Sequence, residues 1–284
     1  MAVWETLMGT LGRTWQLYKQ SFNVLGADVE ILLFPLMSGI ATIAVAASFF
    51  LPMYQTGTLK VLARGEAGWE DYAVLFAYYC AFYAVIVFFN SALVVCANIR
   101  LSGGDPTVGD GLRIAFSRMH RILAWALVAA TVGLLLQSLR GRRGRGLSIL
   151  GSVAGLGWTL ITFLIVPVIV FEDRGIFASI ERSGELFRKN WGEQVAGSFG
   201  FGLLNLLLFI PGLALGALIW PFDKPAAIIV GVVYMLILAV TLSAIRGIFT
   251  VALYRYATSG QPPAGFTAEL IDGALRRAGK PSWA

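Results

Sequence analysis

Long apolar runs separated by short polar stretches dominate the chain, and six of the runs are long enough to cross a bilayer as helices. They fall at about 31–53, 72–97, 122–138, 147–171, 195–220 and 226–254. The third is the shortest and is expected to borrow length from the helix before it. The last exceeds what a bilayer needs, so it tilts or emerges into water. Pro35 and Pro52 sit near the ends of the first run, whereas Pro211 lies inside the fifth and predicts a kink there.

The polar stretches on one side have a pattern of their own, that of amphipathic helices leading into spans. Leu7, Leu11, Trp15, Tyr18 and Phe22 form an apolar stripe in the first. In the second, Val108, Leu112, Ala115, Phe116 and Met119 follow helical spacing, after a capping-box start at Thr107 and Asp110. Ile176, Ile180, Phe187 and Trp191 do the same in the third. Residues 17–22 (Leu-Tyr-Lys-Gln-Ser-Phe) match residues 186–191 (Leu-Phe-Arg-Lys-Asn-Trp) class for class, and 115–120 is a weaker third copy. The pattern therefore predicts three units, each an interfacial helix plus a hairpin of two spans, at about 1–97, 98–171 and 172–256. The expected fold is all-α: a polytopic membrane bundle of six transmembrane helices with amphipathic interfacial helices and a pseudo-threefold repeat. Residues 1–256 form a single transmembrane domain. Residues 257–284 form a cytoplasmic tail with a short amphipathic helix from about Thr267 to Ala278.

Composition agrees and excludes the alternatives. Of 284 residues, 57% are hydrophobic and 13% charged, and the mean hydropathy is +0.75. A soluble fold could not hide that much apolar surface, which sets aside a soluble enzyme, a disordered chain and a disulfide scaffold. The two cysteines, Cys80 and Cys96, lie sixteen residues apart in one run, ~24 Å along a helix and too far for a disulfide. With a single histidine, His120, no metal site is expected. The N-terminus lacks the features of a cleaved signal peptide.

The formal charge of +6 reads as membrane topology and not as affinity for nucleic acid. Lys and Arg number 15 in the segments on the N-terminal side and 7 on the other. The positive-inside rule then puts both termini in the cytoplasm of a plasma-membrane protein. One outer loop disagrees: Arg140, Arg142, Arg143 and Arg145 crowd into six residues. That loop is either a polybasic grip on anionic headgroups or an ordinary solvated loop.

The polar strings between the spans are specific. Asn90-Ser91 within 88–97, Gly103-Gly104-Asp105-Pro106-Thr107 within 103–113, the stretch 121–127, and Val166-Pro167 through Glu172-Asp173 followed by 185–194 carry a resemblance. They resemble a widespread prokaryotic membrane family catalogued as a domain of unknown function, and the resemblance covers nearly the whole chain. It implies six spans per chain and brings no reaction, ligand or site residue. A fainter similarity, an amphipathic helix feeding a span, links the chain to small anion-permease-like proteins.

Ionisable and polar groups inside spans are the candidate site residues. Arg246 follows eighteen uncharged residues, Ile228 to Ile245. It either snorkels at the inner headgroups or sits in the bundle, binding an anion or pairing with Glu193 or Glu172. Asn90, Ser91 and Asn205 either tie helices together by hydrogen bonds or line a polar path. Glu172 and Asp173 end the fourth span and are expected to pair with Arg188 or Lys189. No nucleophile, metal or phosphate motif is present, so no catalysis and no cofactor are expected. Two functions stand: a channel or permease for a small, anionic solute, and a non-transporting scaffold, assembly or lipid-organising protein. The expected partners are the lipid bilayer and its anionic headgroups, with self-association left open. Depth of Arg246 in the bundle discriminates between them.

Overall fold

The computed structural model describes residues 15–16, 18–66, 68–141, 145–191, 200–267 and 271; for helical residues 138–141, 145–150, 191 and 200–207 it describes the backbone alone. The described residues are 86% helical, with no strand among them. Residues 18–27 form α1, followed by a 3-10 turn at Val29–Leu32. Then come α2 (Leu33–Gln55), α3 (Thr58–Arg64), α4 (Trp69–Leu101), α5 (Val108–Ser117) and α6 (Met119–Gly141). They are followed by α7 (Arg145–Ile161), α8 (Ile165–Phe171), α9 (Ile176–Trp191), α10 (Gly200–Ile219) and α11 (Lys224–Ser259).

Among the described residues, five stretches are long and apolar enough to cross a membrane: Val29–Gln55, Trp69–Leu101, Met119–Gln137, Gly151–Phe171 and Lys224–Ser259. The run expected at 195–220 corresponds to α10, in which Leu208–Ile219 forms a shorter apolar helix. Helix α10 is continuous through Pro211. The short tail helix expected from about Thr267 to Ala278 lies outside the described residues apart from Thr267 and Ile271.

The helix limits follow from local chemistry. Helix α4 starts where Glu70 and Asp71 fall in its first turn, favourable for the positive end of the dipole. It stops at a Schellman motif: Gly104 N–H reaches the Ile99 carbonyl at 3.0 Å and Gly103 N–H the Arg100 carbonyl at 2.9 Å. Gly103 takes φ +85°, and a Cβ on Gly104 would meet Ile99 Cγ2 at 2.8 Å, so two glycines in succession are required. The capping box forms as expected, with the Asp110 amide on Thr107 Oγ1 at 3.2 Å and the Thr107 amide on Asp110 Oδ2 at 3.1 Å. Arg118 then ends α5, so α6 does not borrow length from it. Its 23 residues span ~35 Å unaided. Helix α11 begins on Asp223, whose carboxylate accepts from Ala226 N–H at 3.0 Å, and ends at Gly260 with φ +70°.

The fourth apolar run is not one helix. It breaks at Thr162–Leu164, between α7 and α8. Pro167 has no N–H, and its ring crowds the carbonyl four residues earlier, on Phe163. The backbone tightens there: Phe163 N–H bonds the Leu160 carbonyl at 3.3 Å and Ile165 N–H the Thr162 carbonyl at 3.1 Å. Irregular backbone in a membrane protein must be buried or wet; here Leu164 is fully buried and Ile165 nearly so.

The chain divides into two compact units, one of residues 1–32, 96–106 and 186–284, the other of 33–95 and 107–185. In the first, α10 and α11 form a hairpin and the 3-10 turn packs on α11. Buried side chains run along the C-terminal half of α11, from Ala244 to Ala257. In the second unit, α6 and α7 pair, with Trp125 stacked on Trp158 at 5.8 Å between ring centroids. Helix α5 meets α4 through Phe116 and Phe88, edge to face at 4.7 Å. Outward-facing apolar residues such as Ile43, Leu213 and Ile237 are those a lipid-facing surface needs.

Candidate functional site

The ionisable groups gather at helix ends, in one cluster per unit. In the unit of 33–95 and 107–185, Asp173 accepts from Arg118 at 3.2 Å and from Arg121. Arg121 also donates to the Glu172 backbone carbonyl at 3.0 Å. The Glu172 carboxylate takes Arg174 Nε at 2.6 Å and Arg182 Nε at 3.4 Å, and Arg182 reaches Glu185 at 3.2 Å. Arg118 and Arg121 straddle the α5–α6 junction, and Arg182 belongs to α9. One turn after α8 therefore ties both amphipathic helices to the ends of spans. The hydrogen bond and charge of Arg121, then those of Arg118, hold the Asp173 carboxyl below the usual carboxylate range.

The expected partners of this pair of carboxylates are corrected by the geometry. Arg182, not Arg188 or Lys189, is the α9 residue on Glu172, and arginines more than fifty residues earlier take Asp173. Helix α9 makes a second tie. Ser183, fully buried, accepts the Leu164 N–H at 3.1 Å, the amide that the break leaves without an i−4 partner.

In the other unit, Arg100 donates to the carbonyl of Ala27, where α1 ends, to the Gly104 carbonyl at 3.3 Å and to Asp105 at 3.3 Å. Arg255 donates to the Asn98 carbonyl at 3.3 Å, its Oδ1 at 3.1 Å and Ser102 Oγ. The device recurs: Arg100, Arg121 and Arg255 each give a guanidinium to a backbone carbonyl near the C-terminal end of another helix, the partially negative end of its dipole. Asp28 lies beside Arg100, 8% exposed, with Oδ2 free of any hydrogen bond. Burial pushes its carboxyl up, Arg100 pulls it down, and Glu30 and Asp105 push it up again.

Residues 70–266 match the model of a family of unknown function, DUF6159. The chain belongs to that family. No curated protein and no solved structure matches it. The part of this DUF6159 chain that matches contains Arg100, Arg121, Glu172, Asp173, Arg182 and Arg255, while Tyr18, Ala27 and Asp28 precede it.

The remaining sequence candidates of the DUF6159 chain fall separately. Arg246 is exposed, between buried Ile245 and Gly247. Its charge acts on buried Tyr18 of α1, drawing down a phenol that burial pushes up. Counted from Ala226, Arg246 lies ~30 Å along α11, the thickness of the hydrocarbon. Ser91 is fully buried and satisfied within its own helix by the Val87 carbonyl at 2.7 Å, and Asn90 beside it is half-buried. Asn205 lies on α10, where the backbone alone is described, and Glu193, the partner expected for Arg246, lies outside the described residues. So do residues 142–144 of the arginine loop. Among the described residues no group of three His, Cys, Asp or Glu is placed to hold a metal.

Proposed function

We propose that this DUF6159 protein is a plasma-membrane protein of six crossings with both termini in the cytoplasm, and that it organises the inner leaflet without carrying a solute. The observation that carries this reading is the exposed face of the interfacial helices. Trp15 and Phe22 on the α1 segment, Phe116 on α5 and Phe177 on α9 are all more than half exposed. Lys19, Arg188 and Lys189 are exposed on the same helices, without an ion pair among the described residues. Aromatic residues beside free cations suit a helix lying in the headgroup plane of an anionic leaflet. The arginines at the helix roots fix these helices in place. Arg246, exposed and ~30 Å along α11 from Ala226, suits the inner headgroups better than a transport path.

The test is reconstitution into vesicles of phosphatidylcholine with a minority of labelled phosphatidylglycerol. Energy transfer from protein tryptophan is expected to report phosphatidylglycerol enriched around the protein. A Lys19→Gln, Arg188→Gln, Lys189→Gln variant is expected to lose the enrichment. Transfer no greater than from labelled phosphatidylcholine would refute the reading.

One observation favours a second reading, transport of a small anionic solute: the interrupted span at Thr162–Leu164, since broken helices often form the sites of transporters. Anion flux above that of empty vesicles, lost in Arg246→Ala, would support it and displace the first.

A further inference from the structure

The α10–α11 hairpin is built around small residues one turn apart: Gly212 and Gly216 on α10, Ala227 and Gly231 on α11. Such residues let helices approach closely. At one end they do so. The Tyr234 ring fills the place of the missing Gly212 side chain, where a Cβ would meet Tyr234 Cδ1 at 2.3 Å, and Tyr234 Oη donates to the Leu208 carbonyl at 2.8 Å. Toward the α10–α11 turn Ala227 is buried, but Gly216 and Gly231 are only half-buried and leave space beside them. Nothing lies within 4 Å of a Cβ built on Gly231, and one built on Gly216 meets only the Ala227 carbonyl, at 4.0 Å.

The result is an apolar groove of about 580 Å³, walled by Gly216, Ala217, Gly231, Val232 and Met235. Tyr234 stands at Gly212, at one end of the lining, and Trp220 lines the other end with Lys224 beside it. From Gly212 to Trp220 the groove measures ~12 Å along the helix, close to one leaflet's share of a ~30 Å hydrocarbon layer. The Trp220 end has the chemistry of a membrane interface. Trp220 is half exposed, and Lys224 Nζ stands 6.0 Å over its ring. The neighbouring Asp223 carboxylate is engaged on Ala226 N–H, and the N-terminus of α11 adds partial positive charge.

We propose that this groove binds one phospholipid of the leaflet bordering the α10–α11 turn, with an acyl chain along Gly216 and Gly231 and the phosphate on Lys224. The occupant's shape argues for a lipid. The groove is about two helical turns long, the reach of one acyl chain in a leaflet, and Trp220 with Lys224 over its ring gives its open end the chemistry of a headgroup site. The single cation at the open end matches one headgroup.

The test uses the full chain in nanodiscs of phosphatidylcholine with phosphatidylglycerol carrying a photoreactive group on an acyl chain, followed by peptide mapping. Labelling of residues 212–236 is expected to exceed, several-fold, that of the exposed α2 stretch around Ile40 and Ile43, which samples bulk lipid. Gly231→Leu fills the groove where no atom stands in the way and is expected to bring labelling down to the α2 level. Ala217→Phe fills it from the other wall should that variant not fold. Lys224→Gln is expected to weaken labelling by phosphatidylglycerol until it equals that by a phosphatidylcholine probe. Labelling equal to α2 in the wild type, or unchanged in both filled variants, overturns the proposal. So does a chain-to-chain cross-link through Val232 in place of lipid adducts, which would make a second copy the occupant.

Discussion

The Leu164 backbone amide donates to Ser183 Oγ across 3.1 Å of buried space, joining the broken fourth span to the amphipathic helix that follows it. Nineteen residues separate the two. The amide is free because Pro167 prevents an unbroken ladder through this run. The hydroxyl is near because α9 packs closely beside α7; a Cβ on Gly184 would already touch Ile161 at 3.4 Å.

Removing that hydroxyl should therefore be costly. Ser183→Ala leaves a buried N–H unpaired, worth about 1–3 kcal/mol, read as a lower Tm in detergent. In a Pro167→Ala background the ladder can close and Leu164 regains the Leu160 carbonyl, so the same substitution should cost less. Equal costs in the two backgrounds would sink this explanation.

Asp173 should govern part of the acid limb of stability. Its carboxyl is held low in the folded protein, so the stabilisation is full above the unfolded value of about 3.9. It is lost as pH falls through the lowered folded value. Asp173→Asn should flatten that limb in Tm measured from neutral to acid pH, and Arg121→Gln should do much the same. An unchanged limb in both variants would mean that the pairing does not contribute to folding.

Asp28 has the opposite sign. Burial raises its folded pKa above the unfolded value despite Arg100, so the folded state holds the proton more tightly. Stability then falls as pH rises from the unfolded value through the raised folded one, and the penalty is complete above it. Asp28→Asn should raise Tm at neutral pH and have little effect in acid; a neutral-pH loss would show that Oδ2 has a partner.

The Schellman end of α4 and the start of α5 predict a contrast between two glycines five residues apart. Gly104→Ala forces a Cβ to 2.8 Å from Ile99 Cγ2 and 3.2 Å from its carbonyl oxygen, a cost of about 1–3 kcal/mol. Gly109→Ala meets only Thr107 Oγ1 at an ordinary 3.6 Å and should stabilise α5 by about 0.5–1 kcal/mol. Unfolding of the two variants side by side checks both signs.

Orientation is testable at two exposed positions. With Cys80 and Cys96 replaced by alanine, Glu66→Cys should react with an impermeant thiol reagent on intact cells and Ser117→Cys should not. The reverse pattern would invert the topology and move the interfacial helices to the outer leaflet.

What the sequence alone determined is whatever is local. Apolar runs of bilayer length specify helices and a membrane, because neither burial nor hydrogen bonding leaves another solution for them. The Thr107–Asp110 capping box was legible because its two partners are three residues apart and any helix starting there brings them together. The break at Thr162–Leu164 was not anticipated, because 147–171 reads as one apolar run; Pro167, which denies a helix one amide bond, is its local cause. The partner for the freed amide was not legible, since the serines on α9 look like ordinary members of a polar face until packing buries Ser179 and Ser183 completely. The ion pairs were misjudged for the same reason. Arg188 and Lys189 are closer in sequence to Glu172 and Asp173 than Arg118 and Arg121 are, but contact is decided by which helix ends meet. Only the tertiary structure put Arg100 on Ala27, Arg255 on Asn98, and Arg121 on Glu172. Charge count measures how many guanidiniums a chain carries, whereas a hydrogen bond of 3 Å depends on the path of the backbone between its two ends.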